Sequence, residues 1–315
     1  MKAENTLLAL VIGIAAAVPC ACSDGGPAGK PQSIGQPYDV ALTADDKAME
    51  RMAAGMFDQP MDALPQQETP FKVRTAGGTG QATRFMRNIV VIRKADKATK
   101  IKYEKEPFAR GQLMVVVEAR SAKALRADSL KVAKTLQRLI DDHEMKRAIE
   151  ADRQHHNAKL MKEVEDEVEC TITIPADMTM SKTGKGFVWV SDGGRKVMRN
   201  ICIYATQGLP TSPQSLIDMR DSTMAKNIEG ERKGMVMATE RRTRLLFSRN
   251  RNSLTMRGLW HMKGDAMGGP FVSRTLVDST RNRTVTAEAF VYAPSESKAR
   301  AMKRLEAILN TLKLR

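Results

Sequence analysis

The first apolar stretch of the chain has no polar interruption. Thr6 to Val18 (TLLALVIGIAAAV) is a 13-residue run, the length of a signal-peptide core and too short to span a bilayer comfortably. After it the pattern becomes periodic. PYDVALT (37–43) alternates like a half-buried strand. Thr43 with Asp46 resembles a capping box and predicts a helix to about Met56. FKVRT (71–75) and RFMRNIVVI (84–92), separated by Gly77, Gly78 and Gly80, predict a hairpin. LMVVVEA (113–119) reads as another strand, and Ser121 as the cap of a long helix with an apolar stripe of Val132, Leu136 and Leu139/Ile140. The continuation of that helix to Glu167 is very polar, so it is predicted to protrude or to bridge two halves. TITIP, GFVWVS and KVMRNICIY then read as strands, with Asp192-Gly193-Gly194 as a hairpin turn. Ser212-Pro213 opens a helix to about Ile228, and Gly230 closes it. A strand-rich stretch, 233–292, precedes a last helix from Ser295 to Leu312 with Met302, Leu305, Leu309 and Leu312 on one face.

Two stretches recur in the same order. Arg84-Phe-Met-Arg-Asn-Ile-Val-Val-Ile92 matches Lys196-Val-Met-Arg-Asn-Ile-Cys-Ile-Tyr204, which aligns Asn88 with Asn200. Later, VVVEARSAKALRADSLKVAKTLQRL matches FVYAPSESKARAMKRLEAILNTL in pattern: strand, serine, lysine, amphipathic helix. The expectation is an α+β protein of two related units, 37–150 and 169–315, each a mainly antiparallel sheet backed by helices. A helix over 151–168 connects them. In front lie a signal peptide (1–21) and a flexible tether (22–36).

The leader sets the compartment. Pro19-Cys20-Ala21-Cys22-Ser23-Asp24 follows its apolar core, and a cysteine there with a small residue before it resembles a lipobox. Cys22 follows Ala21, whereas Cys20 follows Pro19, which suits a peptidase poorly; Cys22 is therefore the expected lipidation site. An ordinary signal peptide with incidental cysteines is the alternative. Each buried CH₂ of an attached chain contributes roughly 0.8 kcal/mol, so two or three chains hold a protein firmly at a membrane. The glycines and prolines of residues 23–35 suit a flexible tether. In an oxidising compartment Cys170 and Cys202 are candidates for a disulfide; two buried free thiols are the alternative.

Charge narrows the partners. The 315-residue chain carries a formal net charge of +15, which draws it to anions. The residues from Arg195 onward hold nearly all of the excess, 23 Lys/Arg against 10 Asp/Glu. Export and an aromatic content of only 4% argue against nucleic acid. In Ser253–Lys263, Leu254, Met256, Trp260 and Met262 alternate with Arg257, Leu259, His261 and Lys263. Arg242 and Arg244 share one face of a neighbouring strand candidate. If these strands pair, Arg242, Arg244, Arg257, His261 and Lys263 form a basic face able to bind phosphate or carboxylate. The alternative is a solvated face on which each charge matters little.

The loop Lys263-Gly264-Asp265-Ala266-Met267-Gly268-Gly269-Pro270 lacks the spacing of a phosphate or dinucleotide fingerprint, so no cofactor is expected. Asp265 there is expected to bond the turn backbone. His155 and His156, adjacent on a helix, diverge by roughly 100° and do not converge on one metal. Trp189 and Trp260 are expected core anchors. No nucleophile-elbow, zincin or Cys-x-x-Cys motif is present.

The stretch Arg257-Gly-Leu-Trp-His-Met-Lys-Gly-Asp-Ala-Met-Gly-Gly-Pro-Phe-Val-Ser273 resembles the signature of a Bacteroidota lipoprotein family defined only as a domain of unknown function. Gly35-Gln-Pro-Tyr-Asp-Val40, Met86-Arg-Asn-Ile89, Gly230-Glu-Arg-Lys-Gly234 and Phe290-Val-Tyr-Ala-Pro294 extend the likeness along the chain. The resemblance implies an envelope location and brings no catalytic residues. In pattern the second unit also resembles the α/β/α sandwich of photosystem extrinsic subunits, an analogy of fold alone. The leading expectation is a membrane-anchored, non-enzymatic binding or assembly protein of the cell envelope, on the outer membrane. Its partners would be anionic lipid, glycan or another envelope protein. An enzyme acting on an envelope glycan or lipid near 257–271 is the alternative, and it requires Asp265 and His261 to converge in a pocket.

Overall fold

The computed structural model describes residues 29–75 and 81–315. The expected leader, Cys20, Cys22, most of the tether and the Gly77–Gly78–Gly80 connection lie outside the described residues. The protein is α+β.

In the first unit, β1 (Asp39–Ala44) lies between β2 (Lys72–Thr75) and β3 (Asn88–Lys94), parallel to both. β5 (Leu113–Ala119) runs parallel to β3, and only β4 (Lys100–Lys105) is antiparallel, on β5. The expected hairpin of 71–75 with 84–92 is therefore corrected: β1 separates the two strands. Parallel neighbours need crossovers. Helix α1 (Lys47–Gly55) lies in one, and a helical turn at Gln81–Arg84 lies in another. The expectation of a mainly antiparallel sheet fails for this unit: three of its four strand pairings are parallel, with crossovers through α1, through the Gln81–Arg84 turn and, between β3 and β5, through β4.

Period-two alternation sends Val40, Leu42, Val90, Ile92, Val115 and Val117 to one face. There they pack against Met49 and Ala53 of α1, Leu125 of α2 (Ala122–Ala127) and Val132, Leu136 and Ile140 of α3 (Ser129–Gln154). Asp46, not Thr43, caps α1, its Oδ1 accepting from the Met49 N–H at 2.8 Å. Ser121 caps the short α2, and the long helix starts anew after Asp128. The end of the expected tether belongs to this unit. The Ser33 and Ile34 N–H groups donate to the Arg110 and Phe85 carbonyls, and Ile34 accepts from Arg87.

The polar helix expected to run to Glu167 stops at Gln154. After His155 and His156, Asn157 caps α4 (Ala158–Val168) through the Leu160 N–H at 3.2 Å. α4 is polar on one face only, and Leu160, Val164 and Val168 enter the second core.

The second sheet is antiparallel throughout, in the order β10 (Met237–Thr239), β12 (Ser253–Met262), β13 (Gly268–Asp278), β14 (Arg283–Tyr292), β9 (Met198–Gln207), β8 (Phe187–Ser191), β7 (Met180–Gly184). β11 (Leu246–Asn250) also pairs with β12. β6 (Cys170–Thr171) and β15 (Lys313–Leu314) form a separate ladder. Helices α4 and α6 (Ala299–Leu309) cover one face, and α5 (Pro213–Asn227) covers the other, giving an α/β/α sandwich.

This layering decides the cysteines. Ile201 and Ile203 of β9 face the α4/α6 core with Cys170, whereas Cys202 and Tyr204 face the α5 core. The sheet lies between the two thiols, both are free, and the disulfide expectation is corrected. Burial pushes the Cys170 thiol up to about 12.

The recurrence along the chain is local. Asn88 and Asn200 are both buried where β3 and β9 begin. However, β5 runs parallel to β3 while β14 runs antiparallel to β9. The two units do not share a topology, and the expected relatedness is not seen.

Candidate functional site

Much of the C-terminal basic excess meets acid within the protein. One face of α6 carries Arg300, Lys303 and Arg304, spaced to lie together. Arg300 reaches Asp39 of β1 at 2.8 Å, Lys303 reaches Asp141 of α3 at 2.9 Å, and Arg304 pairs with Asp152 of α3. All three acids belong to the first unit, so this face is the seam between units. Asp141 also accepts from the Tyr38 hydroxyl at 2.8 Å. α6 has no cap of its own. Glu68, from the β1–β2 connection, supplies one: its Oε2 accepts from Ser297 Oγ and Lys298 N at 2.6 Å and from Ala299 N at 3.0 Å. A carboxylate at a helix N-terminus is favoured by the backbone dipoles. Burial raises the Glu68 pKa, but these hydrogen bonds outweigh it and hold the carboxyl below its ordinary value.

The residues expected to form one basic face do not converge. Arg242 and Arg244 precede β11, in and just after a turn, not on a strand. Arg242 is exposed and clamps Glu240 through Nε at 3.0 Å and Nη2 at 2.9 Å. These hydrogen bonds hold the Glu240 carboxyl down to about 2. His261 lies 3.8 Å from the same carboxylate. Arg257 turns to the α6 side and pairs with Glu306, which is buried. Burial raises the Glu306 carboxyl, yet Lys303 and Arg257 outweigh it and keep its pKa low. Lys263 is exposed in the turn.

The Lys263–Met267 turn is structural. Gly264 has φ +84°, the left-handed region in which glycine carries no steric penalty. Asp265 accepts from the Met267 N–H at 3.2 Å, the turn-bonding role expected of it. A Cβ at Gly268 would lie 2.8 Å from the Trp260 carbonyl, and one at Gly269 would lie 2.1 Å from the Val291 carbonyl. The glycines thus let β13 approach Trp260, a core anchor packed edge-on to Phe290 at 5.4 Å. Trp189 is half-buried and donates to Asn200 Oδ1 at 3.1 Å. Asp265 is exposed and lines neither of the two cavities described next, and nor does His261. The convergence that an enzyme at 257–271 requires is absent from both. Among the described residues, no group of three or more His, Cys, Asp or Glu is placed to hold a metal.

A cleft of about 290 Å³ opens where the units meet. Met61 and Asp62 line it from the first unit, Phe247, Thr255 and Arg257 from β11 and β12, and Lys303 from α6. In its floor two cations, Arg257 and Lys303, face three carboxylates, Glu306, Asp141 and Asp62. The β11 segment differs. Arg244, Arg249 and Arg251 flank the lining residues in sequence, are exposed, and make no ion pair among the described residues. Phe247 among them is 39% exposed. Arg251 holds φ +51° at the β11–β12 turn, where a non-glycine residue is strained by roughly 1–2 kcal/mol. A second hollow, about 540 Å³, lies between α1 and α2.

The deepest polar cluster gave no sequence signal. Arg220 of α5 is 1% exposed and bonds Glu288 of β14 through Nε at 2.8 Å and Nη2 at 2.7 Å. Its Nη1 reaches Thr239 at 2.9 Å, and its guanidinium lies 4.0 Å from the Phe271 ring centroid. Burial works against the charge on Arg220, but Glu288 outweighs it and holds the guanidinium protonated. Glu288 sits in a strand of alternating apolar residues, where a lone carboxylate reads as a solvent-facing position.

No curated protein matches the chain. Among solved structures it is similar to a point mutant of the protein Mog1 at 8% identity, covering 46% of this chain and 90% of that one, with a TM-score of 0.33. It is similar to a crystal structure from Bacteroides thetaiotaomicron VPI-5482 at 16% identity, covering 46% and 45%, with a TM-score of 0.22. The human StarD13 (DLC2) lipid transfer and protein localization domain shares 8% identity over 42% and 87%, with a TM-score of 0.19. Residues 157–311 match the family model described as a domain of unknown function, DUF4837, and residues 33–152 match that of a second, DUF8532, consistent with an uncharacterised family.

Proposed function

We propose that the protein is a membrane-anchored lipoprotein of the cell envelope, lipidated at Cys22, that binds an anionic envelope component without transforming it. The Bacteroidota resemblance at 257–271 fits this address, as does a place on the outer membrane. The binding region is the β11 rim of the inter-unit cleft rather than the strand face expected from sequence. One observation carries the reading: Arg244, Arg249 and Arg251 flank in sequence the cleft-lining segment Leu246–Ser248 with its exposed Phe247, are themselves exposed, and form no ion pair with a carboxylate among the described residues. Planar guanidinium groups bind phosphate or carboxylate bidentately. The floor takes an uncharged polar part of the same ligand through Thr255 and Asp62.

The test is retention of the detergent-solubilised full chain on immobilised lipid A and on an immobilised acidic polysaccharide. Retention should fall with salt, as exposed charges are screened. It should drop about tenfold, the equivalent of about 1.4 kcal/mol, in a variant with Arg244→Gln, Arg249→Gln and Arg251→Gln. Undiminished retention of that variant on both matrices removes the rim as the binding region.

A further inference from the structure

The hollow between α1 and α2 differs from the seam in its electrostatics. Arg51 of α1 and Lys123 and Arg126 of α2 line it together and are exposed. None of the three makes an ion pair among the described residues. The neighbouring carboxylates of α1 are engaged elsewhere: Asp46 caps the helix through the Met49 N–H, and Glu50 pairs with Lys47 at 3.3 Å. Four residues beyond Arg126, in the first turn of α3, stands Leu130. It is 79% exposed, more than any other large hydrophobic residue described. Lys131 and Lys134 beside it are exposed as well, and Leu130 and Lys134 lie one helical turn apart on the same face. Asp128 is the single carboxylate between Lys123 and Lys134. α1, α2 and α3 all pack on one face of the first sheet, so the hollow and Leu130 belong to the same helical layer.

We propose that this corner is a second, peripheral contact with an anionic bilayer. Leu130 enters the headgroup layer, and Arg51, Lys123, Arg126, Lys131 and Lys134 face lipid phosphates. A soluble anion would use the cations alone. The exposed leucine is what selects a bilayer, because its apolar surface gains only where hydrocarbon is near. Each cation at an anionic surface strengthens attachment by roughly fivefold, and burial of a leucine adds about tenfold or more.

Chain length permits the contact. The described chain joins the first unit at Pro31, whose carbonyl accepts from Arg110 N, beyond the end where β5 begins; α2 follows the end where β5 finishes. A seven-residue strand such as β5 covers about 23 Å. The stretch from Cys22 to Lys30 can reach about 28 Å. Acyl chains on Cys22 and the side chain of Leu130 can therefore occupy one bilayer, with the strands of the first sheet lying along its plane.

The experiment places an environment-sensitive fluorophore at Leu130→Cys in the full chain with Cys20→Ser and Cys22→Ser. A parallel sample carries the label at Met180→Cys, an exposed position on β7. Each is mixed with phosphatidylcholine vesicles, with and without phosphatidylglycerol. The expected result is a blue shift at position 130 alone, only with phosphatidylglycerol, and lost when Arg51, Lys123 and Arg126 become Glu. No shift at 130, an equal shift at 180, or an equal shift on neutral vesicles overturns the proposal. If the shift fails while the rim still retains lipid A, the bilayer contact falls and the binding role proposed for β11 stands.

Discussion

Replacing Arg220 by Met removes the cation that, among the described residues, is bonded to Glu288, a carboxylate with 0% exposure. The methionine fills much of the volume, so the change is chiefly electrostatic. A buried charge left without its partner destabilises a fold by about 3–5 kcal/mol, whereas removing both members of such a pair is close to neutral. Arg220→Met is therefore expected to lose about 3–5 kcal/mol, and Arg220→Met with Glu288→Leu to recover more than half of it. Urea unfolding of the full chain, followed by tryptophan fluorescence, reports this directly, since Trp260 lies in the same core. The deficit of the single variant should grow with pH. Without the guanidinium the folded-state pKa of Glu288 rises, so the group favours folding while protonated and loses that contribution as pH climbs through the folded value. A single variant within about 0.5 kcal/mol of the parent, well below the range for an unpaired buried charge, would refute the reasoning. So would a double variant no more stable than the single one.

Glu68→Gln should loosen the seam by about 1 kcal/mol, the usual worth of a helix cap. Because the folded pKa of Glu68 lies below its ordinary 4.5, the parent's advantage over Glu68→Gln should be full above that pH and vanish as pH falls through the folded value; thermal melts across acid pH check both. In a chain with Cys20→Ser and Cys22→Ser, Cys170 and Cys202 should stay unreactive toward a thiol reagent in the native protein and titrate as two thiols after denaturation. Fewer than two, without prior reduction, would contradict their placement on opposite sides of the sheet. Arg251→Gly should raise stability by up to about 1 kcal/mol by relieving the left-handed backbone, yet weaken retention on lipid A; melting temperature and retention measured together test this. Gly269→Ala should be strongly destabilising, since its methyl carbon would sit 2.1 Å from the Val291 carbonyl, and an unchanged melting temperature would contradict that packing.

Periodic features were legible where one face is more deeply buried than the other. The alternation over Ser253–Met262 placed Met256, Trp260 and Met262 in a core, and the spacing of Met302, Leu305 and Leu309 identified the buried face of α6. Ser212-Pro213 marked the start of α5 correctly. Pairing partners were not legible. β2 and β3 are close in sequence and joined through glycines, yet β1 lies between them, because strand order is decided by the helices that cross over the sheet. Charge misled for a similar reason. Arg257 sits on the polar side of an alternating strand, where solvent is the natural expectation, but that side meets α6 and Glu306. The cations of α6 counted toward the C-terminal basic excess, yet they meet Asp39, Asp141 and Asp152, each more than 140 residues away in sequence. A carboxylate distant in sequence leaves no local signature of the pair it forms.

Attachment at Cys22 underlies the envelope role, and intact-mass spectrometry of the protein extracted from its native membrane tests it most directly. The expected species begins at Cys22 and is heavier than that polypeptide by its acyl groups. A species that begins at Met1 and carries no lipid would contradict it.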